Sequence, residues 1–232
     1  MNRRFAYRLI LPDGQQAELA IELDGDSLDC RLPAPVAREW TALDTHRCPH
    51  CPLNPTTTPL CPLAARLEPL VDLLGSLLSY DRVTVAMQSG ERTVTAATSA
   101  QAAASSIMGL ISATSGCPHT AFLKPLAWFH QPFATEEETT FRAAAAYLLT
   151  QYFRQDSESG VQPDWRLTGM MRRYEALHAV NVGIAKRLRM ACPKDAAVNA
   201  IIRLDMFAKS VLLDQTLDEL RPLFAPTPKN AP

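Results

Sequence analysis

The stretch that decides the fold is RRFAYRLILPDGQQAELAIEL, residues 3–23. Phe5, Tyr7, Leu9 and Leu11 alternate onto one side of an extended chain, and Ala17, Leu19, Ile21 and Leu23 do the same after Pro12-Asp13-Gly14. A period of two is the mark of a half-buried strand. A three-residue loop with Gly14 left-handed sets Leu9 opposite Ala17 and Tyr7 opposite Leu19. The same register puts Arg8 opposite Glu18 and Arg4 opposite Glu22 on the wet face. A two-residue turn would oppose apolar to charged side chains, so it is rejected. SLDCRL then offers Leu28, Cys30 and Leu32 to the same core, which predicts a three-stranded meander.

Further along, WTALDTHR reads as another strand and residues 60–78 as one helix with a Leu63, Leu67, Leu70, Val71, Leu74 stripe. DRVTVAMQSGERTVTAA reads as a second hairpin, with Val85 opposite Val94 and Val83 opposite Ala96. From Ser99 onward the pattern is helical. A small-residue helix comes first and a helix beginning near CPHTAF second. Thr135 and Glu138 form a capping box for a third, with Phe141, Ala145, Leu148 and Tyr152 as its buried face. Trp165 to Ala191 carries a Met170, Tyr174, Leu177, Ile184, Leu188 stripe, and the RRY and KRLR runs fall on what reads as its solvated face. Asp195 to Phe224 turns Ile201, Leu204, Phe207 and Val211 inward, ahead of a frayed tail. The predicted class is α+β: a small antiparallel sheet joined to a C-terminal helical bundle. Residues 1–47 form the meander, 48–134 a Cys-rich metal-binding segment and 135–225 the C-terminal helices, in one interwoven unit.

The net charge of −1 over 232 residues gives no reason to expect nucleic acid or an anionic membrane as partner. No apolar run approaches the ~20 residues of a membrane span. No apolar h-region follows the basic N-terminus, so no signal peptide is read and a cytoplasmic location is expected. Thiols stay reduced there, and clustered cysteines then more often bind metal than form disulfides.

Four of the six cysteines, Cys48, Cys51, Cys61 and Cys117, are spaced C-x2-C-x9-C-x55-C. A two-residue spacer lets Cys48 and Cys51 turn to one point. Cys51, Cys61 and Cys117 each precede a proline, which suits the first position of a helix. Each cysteine would then cap a helix whose free N–H groups favour thiolate. Four thiolates suit zinc, the common closed structural site; the alternative is a 4Fe–4S cluster. Cys30 and Cys192 read as structural. His46, His50, His119 and His130 are candidate outer-shell groups. His119 and His130 stand eleven residues apart and share a face if one helix runs through them; with Glu138 they would make an alternative, enzymatic metal site. The first expectation remains a non-enzymatic metal protein that binds or regulates an unknown protein partner, or self-associates. An iron–sulfur redox or iron sensor stands beside it. With nine glycines, the chain shows no Walker loop, GxSxG elbow, HExxH or Rossmann fingerprint.

Two resemblances attach to these residues. CPHCPL at 48–53 resembles the Cys-x-x-Cys-Pro-Leu start of iron–sulfur uracil-DNA glycosylases over six residues, without that family's catalytic glycine-rich motif, so it implies no activity. Over nearly its whole length, through CPHCPL, CPLA, SGCPHTAFL, PFATEEE and LFAP, the chain resembles an uncharacterised bacterial family with no established function.

Overall fold

The structure, a computed structural model, describes residues 1–157, 162–211 and 214–224. Strands β1 (Arg3–Ile10) and β2 (Gln16–Leu23) pair as the alternation requires: Leu9 faces Ala17, Tyr7 faces Leu19, Arg8 faces Glu18 and Arg4 faces Glu22. Gly14 takes a φ of +83°, the left-handed state that closes the loop without a Cβ penalty. Arg8 and Glu18 form an exposed ion pair at 3.0 Å. The short β3 (Cys30–Arg31) adds to β2.

Strands β4 (Arg82–Ser89) and β5 (Arg92–Ser99) complete an antiparallel sheet of order β3-β2-β1-β4-β5. The second hairpin differs in register from the expectation by two residues. Val85 faces Ala96, Val83 faces Thr98 and Met87 faces Val94. The turn is Gly90-Glu91 rather than Ser89-Gly90, because Gly90 supplies a φ of +60° at the first loop position, where a two-residue hairpin needs it. A two-residue shift keeps every side chain on its face, so the hydrophobic pattern alone could not detect it.

The cysteine region departs more. WTALDTHR is not a strand: Glu39–Thr41 is a single 3₁₀ turn and His46 is left-handed at φ +45°. Only Ala42 bridges, to Leu60. The expected helix over 60–78 is two pieces, α1 (Pro62–Arg66) and α2 (Glu68–Leu74). Pro69 lacks an N–H and its ring crowds the preceding turn, so the axis breaks at Leu67. The stripe survives the break: Leu63, Leu67, Leu70, Val71 and Leu74 are all buried.

The central helix α3 (Ala100–Thr114) buries Ala100, Ala103, Ala104, Ile107, Met108 and Ile111. Its small side chains let it pack closely against β4, β5, α1, α2 and the later α7. After Cys117 come a 3₁₀ turn (Ala121–Leu123), α4 (Lys124–Trp128), α5 (Glu136–Ser157), α6 (Thr168–Ala191), α7 (Ala196–Ser210) and α8 (Asp214–Leu220). The main core joins both sheet hairpins to α3, α6 and α7; a second cluster ties α5 to α6 and α7 through Tyr147, Met170, Tyr174 and Val211. The α6 stripe is buried as its period predicts. The expected last helix divides at Ser210, with α8 and a 3₁₀ turn (Arg221–Phe224) following. The expected frayed tail, 225–232, lies outside the described residues.

Helix α5 is rotated relative to its expected face. Thr140, Ala143, Tyr147 and Gln151 are buried, whereas Phe141, Ala145 and Tyr152 are exposed. Its capping box is formed: Glu138 accepts from the Thr135 amide at 2.8 Å and donates its own amide to Thr135 Oγ1 at 3.1 Å. The helix is anchored inward by Tyr147, whose hydroxyl donates to Asp164 at 3.0 Å.

His130 lies beneath the sheet. Tyr7 Oη and His130 Nε2 are 2.6 Å apart, and Phe5 meets the imidazole edge-on at 5.5 Å. Burial, then Arg142 and Arg3, lower the His130 pKa from 6.5 to about 3, so the folded ring is neutral. The unfolded chain therefore binds a proton that the fold does not, between those two values. Its stabilising contribution is complete above pH 6.5 and is lost as pH falls toward about 3. Denaturant titrations at stepped pH should show stability falling across this window with up to about 1.4 kcal/mol per pH unit from this group, and His130→Phe should flatten that part of the profile.

The backbone-only role of Gly90 is separable, since a Cβ there meets nothing within 4 Å. Gly90→Ala should cost about 1–2 kcal/mol in urea denaturation through left-handed strain. An unchanged midpoint would remove the turn assignment.

Candidate metal centre

The loop that carries Cys48 and Cys51 is closed at its base. Leu43 N donates to Pro59 O at 2.8 Å and Cys61 N to Thr41 O at 2.8 Å. A third tie comes from α6. Arg187 is buried, with 2% of its surface exposed, and its guanidinium donates to the carbonyls of Trp40 (2.8 Å), Ala42 (2.6 Å) and Leu43 (2.9 Å). Arginine holds its planar fork charged even when buried, which suits one side chain to three fixed carbonyls. Within the loop, Cys51 N donates to Cys48 O at 3.0 Å, so C-x2-C is a tight turn. Arg47 braces it by donating to the Cys51 carbonyl at 3.3 Å.

Cys61 caps α1, with Pro62 at the first helical position, as the Cys-Pro pattern predicts. The Cys-Pro pairs at Cys51 and Cys117 do not cap helices. Cys51-Pro52 leads into an irregular segment, and Cys117-Pro118 opens a turn closed by Thr120 N to Cys117 O at 3.1 Å. Proline fixes φ and withholds a donor in turns as well as in helices, so the dipeptide alone could not distinguish them. Cys117 is delivered by the end of α3: Gly116 takes φ +87°, the usual left-handed exit from a helix, and the Cys117 amide donates to Ser115 Oγ at 3.3 Å.

The fold brings the four cysteines into one neighbourhood. Burial pushes the Cys48 thiol up to about 11, and Cys61, Cys117 and Cys51 each push the same way, while Arg187 opposes them. Burial also raises Cys117, against the amides of His119 and Thr120, which favour its thiolate. The space at Cys48 is made by Gly183 of α6, where a Cβ would lie 3.4 Å from Cys48 Sγ and 3.0 Å from the His46 carbonyl. The coupling is resolved at Cys48, toward the other three, and at Cys117, toward Cys61. Among the described residues no group of three or more His, Cys, Asp or Glu is arranged to hold a metal ion.

Two histidines border the cysteines. His119 Nε2 donates to the His50 carbonyl at 2.9 Å, and the two rings meet edge-on with centroids 4.0 Å apart. Burial, then His119, lower the His50 pKa. His46 contributes its carbonyl beside Gly183. His130 lies apart, on Tyr7, and Glu138 is engaged in its capping box and by Gln131 at 2.9 Å. The helix that would have aligned His119 with His130 is absent, since α4 begins only at Lys124 and a 3₁₀ turn precedes it. Cys30 is buried under β2, and Cys192 ends α6 beside Gly75; burial raises both thiols.

A family model described as a domain of unknown function, DUF6901, matches residues 5–225. The chain belongs to that family. The match spans the sheet, the cysteine loop and the helices together. No curated protein and no solved structure matches the chain. No helix among the described residues is long and apolar enough to cross a membrane.

Arg187 and Gly183 escaped the sequence reading. Arg187 sits in KRLR, read as solvated, yet it stands three residues after buried Ile184 and one before buried Leu188. That spacing was the available signal. Arg187→Met should leave three carbonyls short of their donor. With roughly 1–3 kcal/mol for an unsatisfied buried group, the loss should be at least about 2 kcal/mol in chemical denaturation.

Proposed function

We propose that this protein holds one metal centre through Cys48, Cys51, Cys61 and Cys117, that the centre is structural, and that the protein acts by binding or regulating a partner. The observation that supports the reading is Cys48, whose thiol is raised by burial and then by Cys61, Cys117 and Cys51, four cysteines brought from three separate segments. A cation would favour the thiolates that burial disfavours, and zinc with four thiolates is the common closed solution. Bound metal would tie the 44–58 loop and the start of α1 to the end of α3. Within such a centre Gly183 keeps room for the Cys48 sulfur, Arg187 holds the loop base, and the His119 and Thr120 amides face the Cys117 sulfur.

The second reading is a 4Fe–4S cluster on the same cysteines, serving redox or iron sensing. It is supported by the CPHCPL resemblance and by amides beside Cys117, since N–H groups on sulfur tune a cluster's potential. An enzymatic site from His119, His130 and Glu138 has less support, because each is engaged elsewhere. A protein partner, or a second copy, has a candidate surface in the exposed Phe129, Phe141, Leu149 and Phe153.

Anaerobic purification with elemental analysis and visible absorption separates the metals: zinc protein is colourless and cluster protein brown. Cys61→Ser and Cys117→Ser should each lower metal content and melting temperature together, whereas Cys30→Ser and Cys192→Ser should keep both. Full occupancy in the first pair removes the assignment. Gly183→Leu, which fills the space at Cys48, should also lose metal. Gly109→Ala, whose Cβ would make an ordinary 3.6 Å contact with Leu204, should not.

A further inference from the structure

Between α3, α4, α5, α6 and α7 lies a cavity of about 270 Å³. Its wall mixes alanine, leucine and phenylalanine with hydroxyl and other polar side chains, as small-molecule sites do. The charged groups on it are of one sign. Arg142 and Arg203 line the cavity, and no aspartate or glutamate does. Among the described residues neither arginine forms an ion pair within 4.0 Å.

Arg142 is half-buried and partly committed. Its Nη2 donates to the Leu126 carbonyl at 2.9 Å and the Phe129 carbonyl at 2.8 Å, which fixes the guanidinium in place. The remaining N–H groups have no protein acceptor among the described residues. Tyr174 stands beside it, buried; burial raises its phenol pKa, with Arg142 opposing, so the hydroxyl remains a donor at neutral pH. Ser112 also lines the cavity, and its buried Oγ has no hydrogen-bond partner. A half-buried guanidinium that Glu138 supports only at a distance, outside ion-pair range, is unfavourable. An acceptor with negative charge, carried on an apolar body, answers it.

We propose that this cavity is a binding site for a small carboxylate with an apolar body, its carboxylate on Arg142 and the Tyr174 hydroxyl and its hydrocarbon part against the helix side chains. A guanidinium fork and a phenol offer donors to both carboxylate oxygens. The volume admits a short aliphatic or single-ring acid.

Isothermal titration of the full chain with octanoate and 3-phenylpropanoate, against octanamide and 3-phenylpropanamide, tests the assignment. At least one acid should bind saturably with Kd below about 1 mM, and about ten-fold or more tighter than its amide, as a hydrogen-bonded charge requires. Arg142→Gln should weaken the acid by about ten-fold and leave the amide unaffected. Because Arg142 also holds two carbonyls, Tyr174→Phe, which keeps the ring, is the second variant; it should weaken the acid several-fold. No saturable binding of either acid, equal affinity for acid and amide, or unchanged acid affinity in folded Tyr174→Phe overturns the proposal.

Discussion

The Arg187 guanidinium organises the part of the molecule where chemistry is concentrated. A charge taken out of water is strongly unfavourable unless every donor is used well. Here three carbonyls of an irregular segment receive it, and that segment has no regular structure of its own. The dependence runs both ways. The 40–43 stretch stays folded over α6 because Arg187 satisfies its carbonyls, and Arg187 is tolerated inside because those carbonyls converge. The sulfur of Cys48 is placed by the same helix, one turn earlier, where Gly183 leaves room for it.

The legible parts of the sequence were those governed by one strong local pattern. Alternation plus Asp13-Gly14 determined the first hairpin to the residue: a one-residue slip opposes apolar to charged side chains, and the left-handed Gly14 selects among the registers that remain. The stripes of α2 and α6 came from apolar spacing at 3.6 residues. The second hairpin failed by two residues because Val, Thr and Ala occur on both of its strands and tolerate either register; only the conformation of Gly90 decided. The outer face of α5 was misread for a related reason. Its aromatic stripe outweighs the Thr140, Ala143, Tyr147, Gln151 face in hydrophobicity, but tertiary contacts with Asp164 and α6 chose the other side.

At the cysteines, the sequence carried composition but not direction. The Cys-Pro pairs at Cys51, Cys61 and Cys117 look alike on the page, yet of these only Cys61 begins a helix. The histidines likewise sort by neighbours distant in sequence: His119 against His50, His130 against Tyr7. Nothing local to Arg142 or Tyr174 marks a cavity, because that space exists only where five helices pack imperfectly. Ser112 and Thr120 line it, and the Thr120 hydroxyl donates to the Cys117 carbonyl, so cavity and cysteines share a wall.

The bonds that close the cysteine loop at its base are made by backbone and by Arg187, not by sulfur. The ends of the loop are therefore held whether or not its tip is engaged, and opening the tip would require no loss of the sheet or of α3. Exchange at the sulfurs becomes a local event, with its own rate, separate from the rate at which the chain unfolds. For the centre proposed above, metal would then be gained or lost at the loop tip without the fold first coming apart.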